Sequence, residues 1–505
     1  MSDSKQVQEK WRAEQLRAQR KARLARMKSK SGGKKPIQTS NPLAWVVTSI
    51  ILVIAVIAGG LYWAVGVGIP QRSLTAMTVN NEAIKAVEVD YYYHSLLSNY
   101  SIDATTADGQ NTLKSDPGVE GFKTVADYLK DMAAQEVQQY AVLAANAAKD
   151  GVTLSADDSK RIADYLDSLE STALSNKTTF ENYLISTYGK GINTTILTQI
   201  LNRYLLAMNY ATTKQTSFTF NADELKAGYE KSKDDYDIVN YRTFYLAADI
   251  KTGASDAEKT KALEAARTKS DEMLAKITSE ASFKEQCIAY AADTDKDSYK
   301  TTDASLKANA HKADLATDQA TWLFSSDRKA GDKTVIESTS GYYVLYFVNR
   351  SRADYRYVNI RHILISAAKA SATDAQIAEA KTKAESILAQ YKSGAKTEDS
   401  FAALAKTNSA DSNASEGGLY EDVYPGQMVD EFNDWCFDTS RKAGDVGIVQ
   451  TSYGFHVMYY VGQGSVDWEA KVKANLQSDA YATYLQAELK KYPYTKNSFG
   501  MRFVG

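Results

Sequence analysis

Four histidines (His94, His311, His362, His456) and two cysteines (Cys287, Cys436) are the side chains of this 505-residue chain best suited to proton transfer, nucleophilic attack or metal binding. They are scattered, and so few ligands argue against a structural zinc cluster. Two cysteines cannot build a disulfide framework; each lies in an apolar helical context and reads as a buried free thiol. His94, behind Tyr91-Tyr92-Tyr93, and His311 read as satisfied core residues. Taken alone, His362 and His456 in apolar strand-like runs, Asp411 in a polar loop, and Met428 and Phe432 on one helical face name no reaction. Any chemistry they share depends on the elements that bring them together.

Those elements are distributed unevenly in charge. The 60 Lys+Arg nearly balance 62 Asp+Glu, which disfavours a chain built to coat nucleic acid. Yet residues 1–42 carry a net +9 and the remainder −11. No charged residue occurs from Leu43 to Pro70, a length that crosses a hydrocarbon layer of ~30 Å at about 1.5 Å per helical residue. The sequence therefore predicts a basic cytoplasmic tail over 1–42 and a transmembrane helix over 43–69, with membrane lipid as its partner. Trp45 at one end and Tyr62-Trp63 at the other suit the interfacial belts, and the basic flank leaves the rest of the chain outside. A cleaved signal peptide fits less well, because the apolar run is too long and no A-x-A-like site follows. The tail either lies on anionic lipid as a helix or serves only as a topology signal.

The rest of the chain is expected to be α+β, within two to four domains for this length. Residues 70–236 show helical periodicity, with a cap at Ser155 and polar breaks at Ser115-Asp-Pro-Gly118, Lys149-Asp-Gly151 and Lys190-Gly191, and predict an all-α module. A C-terminal segment, 465–505, places Trp468, Val472, Leu476, Ala480 and Tyr484 on one stripe; a stripe of that kind needs a partner, and the helical module is the nearest. Between them lies an internal repeat, 237–350 and 351–464. Val358-NIRHILISA aligns with Val239-NYRTFYLAA, Glu398-DSFAALA with Glu280-ASFKEQC, and Trp435-CFDTSRKAGDVGIVQTSYGFHVMYYV with Trp322-LFSSDRKAGDKTVIESTSGYYVLYFV. Each copy reads as strand, long helix, short helices and two final strands.

The second copy resembles the parvulin family of peptidyl-prolyl cis/trans isomerases. RHILI, SFAALAKTNSADS, the Gly417-Gly418 pair, GQMVDEF and GDVGIVQTSYGFHV occur in the family's order and spacing. The chain from the helical module onward looks like the SurA/PrsA/PpiD class of extracytoplasmic foldases, whose helical chaperone module 70–236 would match. The resemblance implies that His362 and His456 face each other in the site, with Asp411 as the acidic side chain beside the prolyl amide. It implies that Met428 and Phe432 wall the proline pocket with Gln427 beside them, while Leu419, Thr451 and Tyr453 are weaker substrate-binding assignments. The sequence departs from the family at Leu419-Tyr420-Glu421-Asp422, where the usual Asp after Gly-Gly is absent. In the first copy Thr243, Tyr343, Leu315 and Gln319 stand where the second has His362, His456, Met428 and Phe432, with Asp293 opposite Asp411. A kept framework with a changed pocket predicts a folded, inactive domain.

Prolyl isomerisation makes and breaks no bond, so the resemblance implies neither cofactor nor metal. The function expected is a foldase that isomerises X-Pro bonds in newly exported or unfolded polypeptides outside a cytoplasmic membrane, of Gram-positive type or periplasmic. A holdase with incidental isomerase activity and a surface scaffold are the competing readings, and room is left for a homodimer. No basic pocket for phosphorylated substrates is visible near the motif.

Overall fold

The computed structural model describes residues 64–505. The expected tail and most of the expected membrane span lie outside the described residues. Among those described, no helix is long and apolar enough to cross a membrane; a helical turn at 64–66 stops before Gly68, whose φ of 75° is left-handed, and Pro70 opens the short helix Ile69–Ser73.

The chain forms two compact units, one of residues up to 148, 153–206 and 492–505, the other of 149–152 and 207–491. The first is mostly helical but not all-α, which corrects the sequence reading. Strands β1 (Thr75–Val79) and β2 (Glu82–Lys85) form a hairpin across Asn80-Asn81, both at positive φ as a tight two-residue turn requires. The last strand of the chain, β11 (Tyr494–Lys496), pairs with the other edge of β1. Helical periodicity dominates this region so strongly that three strands of five residues or fewer leave little trace in it. Its helices Ala86–Asn99, Val125–Lys149, Ala156–Ser175 and Phe180–Tyr188 and the run starting at Thr194 bury Leu96, Leu97, Leu129, Val137, Leu143, Leu169, Leu184 and Leu197. Ser155 caps its helix in a full capping box with Asp158.

The second unit contains the two repeats, each an antiparallel four-stranded sheet. The first has β3 (Asp237–Ala247), β4 (Leu306–His311), β5 (Lys333–Ser338) and β6 (Gly341–Arg352) in the order β4-β3-β6-β5. The second has β7 (Arg356–Ser366), β8 (Leu419–Val423), β9 (Val446–Thr451) and β10 (Gly454–Val466) in the order β8-β7-β10-β9. Register repeats as well: Thr243 faces Leu345 and Tyr245 faces Tyr343 in one, His362 faces Met458 and Leu364 faces His456 in the other. A strand alternates its faces. In the second repeat Ile363, Ile365 and Val457 therefore pack on the helices Asp374–Ser393 and Glu398–Asn408, while Val358, Ile360 and Met458 pack on the helix Asp430–Phe437.

Shared anchors hold both copies. Arg361 Nε donates to Glu398 at 2.9 Å and Arg242 Nε to Glu280 at 3.0 Å. Arg441 lies over Trp435 at 4.4 Å and Arg328 over Trp322 at 4.0 Å. The helix Asp467–Lys491 sets Trp468 and Val472 in one apolar cluster with Tyr229 and Tyr236 of the helical segment 222–236. Gly228 permits this approach, since a Cβ there would stand 2.7 Å from Val472 Cγ1.

Gly418 fixes the edge of the site. Its φ is +67°, its carbonyl accepts the His362 amide at 2.9 Å, and an added Cβ would stand 2.1 Å from the His362 carbonyl oxygen. Gly418→Ala is expected to cost about 2 kcal/mol or more through backbone strain and displacement of β7. Calorimetry of the full chain would show an earlier unfolding transition; an unchanged profile would contradict this account.

Candidate active site

The β7–β10 ladder puts two histidines on one face. His362 is 2 % exposed and His456 5 %. Their rings stack at 5.3 Å with an interplanar angle of 20°, and their Nδ1 atoms are 3.1 Å apart, within hydrogen-bond reach. The Phe432 ring stands edge-on to both, 5.4 Å from His362 and 5.2 Å from His456. Beyond His456, its Nε2 lies 2.9 Å from Thr451 Oγ1, which also accepts the Tyr453 amide at 3.1 Å. Beyond His362, its Nε2 faces Asp411 Oδ2 at 3.5 Å and has no hydrogen-bond partner. That separation is longer than a good hydrogen bond, so the carboxylate acts on the ring mainly through its field.

Asp411 is at once a site residue and a cap. Its Oδ1 accepts the Asn413 amide at 3.1 Å at the start of the short 3-10 turn Ser412–Glu416, and Tyr420 Oη donates to the same oxygen at 3.2 Å. The His362 ring, then these two donors, hold its carboxyl well below the usual carboxylate range against the opposing effect of burial. Burial, reinforced by the neighbouring His362, pushes His456 down to about 4, so it is neutral at physiological pH. One Nδ1 of the pair donates to the other, and Thr451 Oγ1 and His456 Nε2 form a second such pair. Thr451, His456, His362 and Asp411 thus lie in one polar line across the site.

The remaining expected residues fall on different sides of this line. Met428 is half-buried and packs in the cluster that contains Phe432. Gln427 is exposed, and its side-chain oxygen accepts the Tyr424 amide at 3.1 Å, which closes a turn. Tyr453 is 59 % exposed at the rim. Leu419 is not placed with the histidines: it pairs with Arg361, and pleat alternation sends it to the opposite face. Tyr420, its neighbour, fills that role, its ring 5.2 Å from His362. The signal that could have found it is the alternation itself, counted from Gly418, whose carbonyl binds the His362 amide.

In the first repeat the same frame is empty of this chemistry. Thr243 Oγ1 is buried without a partner, Tyr343 packs on Tyr245 at 4.7 Å, and Gln319 is buried. Asp293 is on the surface, paired with Lys296 at 2.8 Å. The cysteines are free and buried in both repeats, and burial pushes each thiol up to about 12, which leaves them unreactive. His311, read as a satisfied core residue, is buried within a polar cluster, its Nε2 2.7 Å from Lys471 Nζ and 3.5 Å from Asp467 Oδ2.

Residues 342–463 match the family model of the PPIC-type PPIASE domain. Foldase protein PrsA 1 of Listeria innocua is 30% identical over 133 residues, which are 26% of this chain and 38% of that protein. Chaperone SurA of Cupriavidus metallidurans is 35% identical over 105 residues, 21% of this chain and 20% of its own. The crystal structure of PrsA from Bacillus subtilis covers 75% of this chain and 93% of its own at 16% identity, with a TM-score of 0.25. The alignment spans 38% of the first of these relatives. The second repeat is thus a PPIC-type PPIase domain related to those of foldases.

Because the folded state holds His456 near 4 and an unfolded chain near 6.5, protonation of the unfolded state erodes stability as pH falls from about 6.5 toward 4. The depressed Asp411 adds its own loss only below about pH 4, the unfolded carboxylate range. In a 15N histidine NMR titration, the signals absent from His456→Gln should remain those of a neutral ring at pH 5. A midpoint near 6.5 would refute the assignment.

Proposed function

We propose that this chain is a membrane-anchored foldase whose second repeat isomerises X-Pro bonds in unfolded polypeptides emerging outside the cytoplasmic membrane. In this reading 1–42 is a cytoplasmic tail, 43–69 the anchor, 70–236 a helical chaperone module joined by 465–505, 237–350 an inactive repeat and 351–464 the catalytic one. The observation that carries it is the buried His362–His456 pair capped by Phe432 and flanked by Asp411.

Rotation about a prolyl amide faces a barrier of ~18–20 kcal/mol because resonance holds the bond planar. Catalysis needs only preferential stabilisation of the twisted amide, tenfold in rate for each ~1.4 kcal/mol. Phe432 and Met428 supply the apolar wall that grips the pyrrolidine ring and excludes water from the C–N bond. Planar resonance places negative charge on the carbonyl oxygen. An ionised Asp411 beside that oxygen raises the energy of the planar form relative to the twisted one, in which that charge has withdrawn. The Asn413 amide and the Tyr420 hydroxyl fix where Asp411 sits and help keep it ionised.

A protease-coupled assay on the full chain with a prolyl tetrapeptide tests this. Phe432→Ala is expected to lower kcat/KM by about 10–100-fold, equivalent to ~1.4–2.8 kcal/mol of lost contact, and Asp411→Ala by at least about tenfold. Tyr343→Phe, in the first repeat, should leave the rate unchanged. A wild-type rate no higher than the uncatalysed one would sink the proposal.

A further inference from the structure

The helical unit holds a cavity of about 540 Å³ that the isomerase chemistry does not use. This is within the ~300–1,000 Å³ of ordinary ligand pockets. Four helices wall it: Ala86–Asn99 gives Tyr91 and Tyr92, Val125–Lys149 gives Glu136 and Tyr140, Ala156–Ser175 gives Tyr165, and the helix from Thr194 gives Tyr204. The aromatic rings are in contact, Tyr92 with Tyr140 at 5.4 Å and Tyr140 with Tyr204 at 5.2 Å, nearly perpendicular in the second pair.

Two polar groups in this lining lack what they need. Glu136 is half-buried and makes no hydrogen bond or ion pair among the described residues, and burial alone raises its pKa. Tyr92 is 5 % exposed, and its hydroxyl is buried with no hydrogen-bond partner. A desolvated carboxylate without a counter-charge costs free energy, so Glu136 gains from a cation that enters the cavity, whereas the Tyr92 hydroxyl is closed to any ligand. The one cationic residue of the lining, Arg161, does not pair with Glu136; its guanidinium lies 3.6 Å from Asp158 instead.

We propose that this cavity is a cation-selective peptide site that takes a lysine or arginine side chain of an extended polypeptide. The cation pairs with Glu136 against the tyrosine faces. The net −11 of the chain beyond residue 42 favours basic partners in the same sense. The inference rests on the foldase reading only for the source of the polypeptide. Basic segments of an unfolded chain would be held here, by a surface with no role in turning prolyl bonds.

Fluorescence anisotropy with the full chain and labelled pentapeptides tests it: Gly-Gly-Lys-Gly-Gly, and the same peptide with norleucine in place of lysine, both end-capped. The lysine peptide should bind at least tenfold more tightly than the norleucine peptide and weaken with salt. Glu136→Gln and Tyr204→Leu should each remove most of that preference without changing the isomerase rate. Glu136→Gln should also leave the melting temperature of the free protein unchanged or raised, which shows that lost binding is not lost folding. Equal affinity for the two peptides, no binding of either, or tight binding of free choline with no lysine preference would overturn the proposal. A failed isomerase assay with lysine selectivity intact would instead sink only the isomerase reading.

Discussion

The site depends on the register of β7 against β10. His362 stands opposite Met458 and His456 opposite Leu364, so the two imidazoles are diagonal neighbours on one face, close enough for their rings to stack. A slip of one residue would send one histidine to the face that packs on the long helices and leave the other alone. The constraint extends outward from there. Gly418 must admit β8 against the His362 carbonyl, which sets Tyr420 toward the histidine ring and Asp411 within reach of both. Phe432 covers the pair from a helix whose Trp435 carries the Arg441 stack and packs in one cluster with Val449 of β9 and Met458 and Tyr460 of β10.

The first repeat separates what a fold requires from what a reaction requires. Its register, its Arg–Glu anchor and its Arg–Trp stack are those of the second repeat, whereas threonine, tyrosine and glutamine occupy the pocket positions. None of the anchors is one of these pocket positions, so their retention accounts for the shared fold alone. The loss is also coherent. Once the paired imidazoles are absent, nothing holds an acid beneath them, and Asp293 lies at the surface with a lysine.

Much of this was legible in the sequence where a pattern is local or repeated. The cap at Ser155, the stripe from Trp468 and the two copies of the α+β repeat are written in short-range periodicity, and the histidine pair emerged from matching one whole domain to a family. What was hidden is whatever depends on alternation or on several elements at once. Leu419 and Tyr420 are adjacent and both apolar in part, and only the pleat decides which of them meets His362. The hairpin at Asn80-Asn81 lies inside a helical landscape and is completed by a strand more than 400 residues away. The tyrosines around Glu136 come from four helices spread over more than a hundred residues, and each looks like ordinary core on its own helix.

The pairing of β11 with β1 has a consequence for the order in which the protein is made. Synthesis delivers the chain from its N-terminal side, so β1 and β2 and the helices around them arrive before either repeat. β11 follows both. Until it arrives, β1 keeps an open edge of unpaired amides and carbonyls, a template on which any extended chain can add. The chain therefore spends its own synthesis with one such edge exposed, and the strand that closes it, Tyr494–Lys496, is also the one whose Tyr494 hydroxyl and Lys496 ammonium fasten onto Asp131.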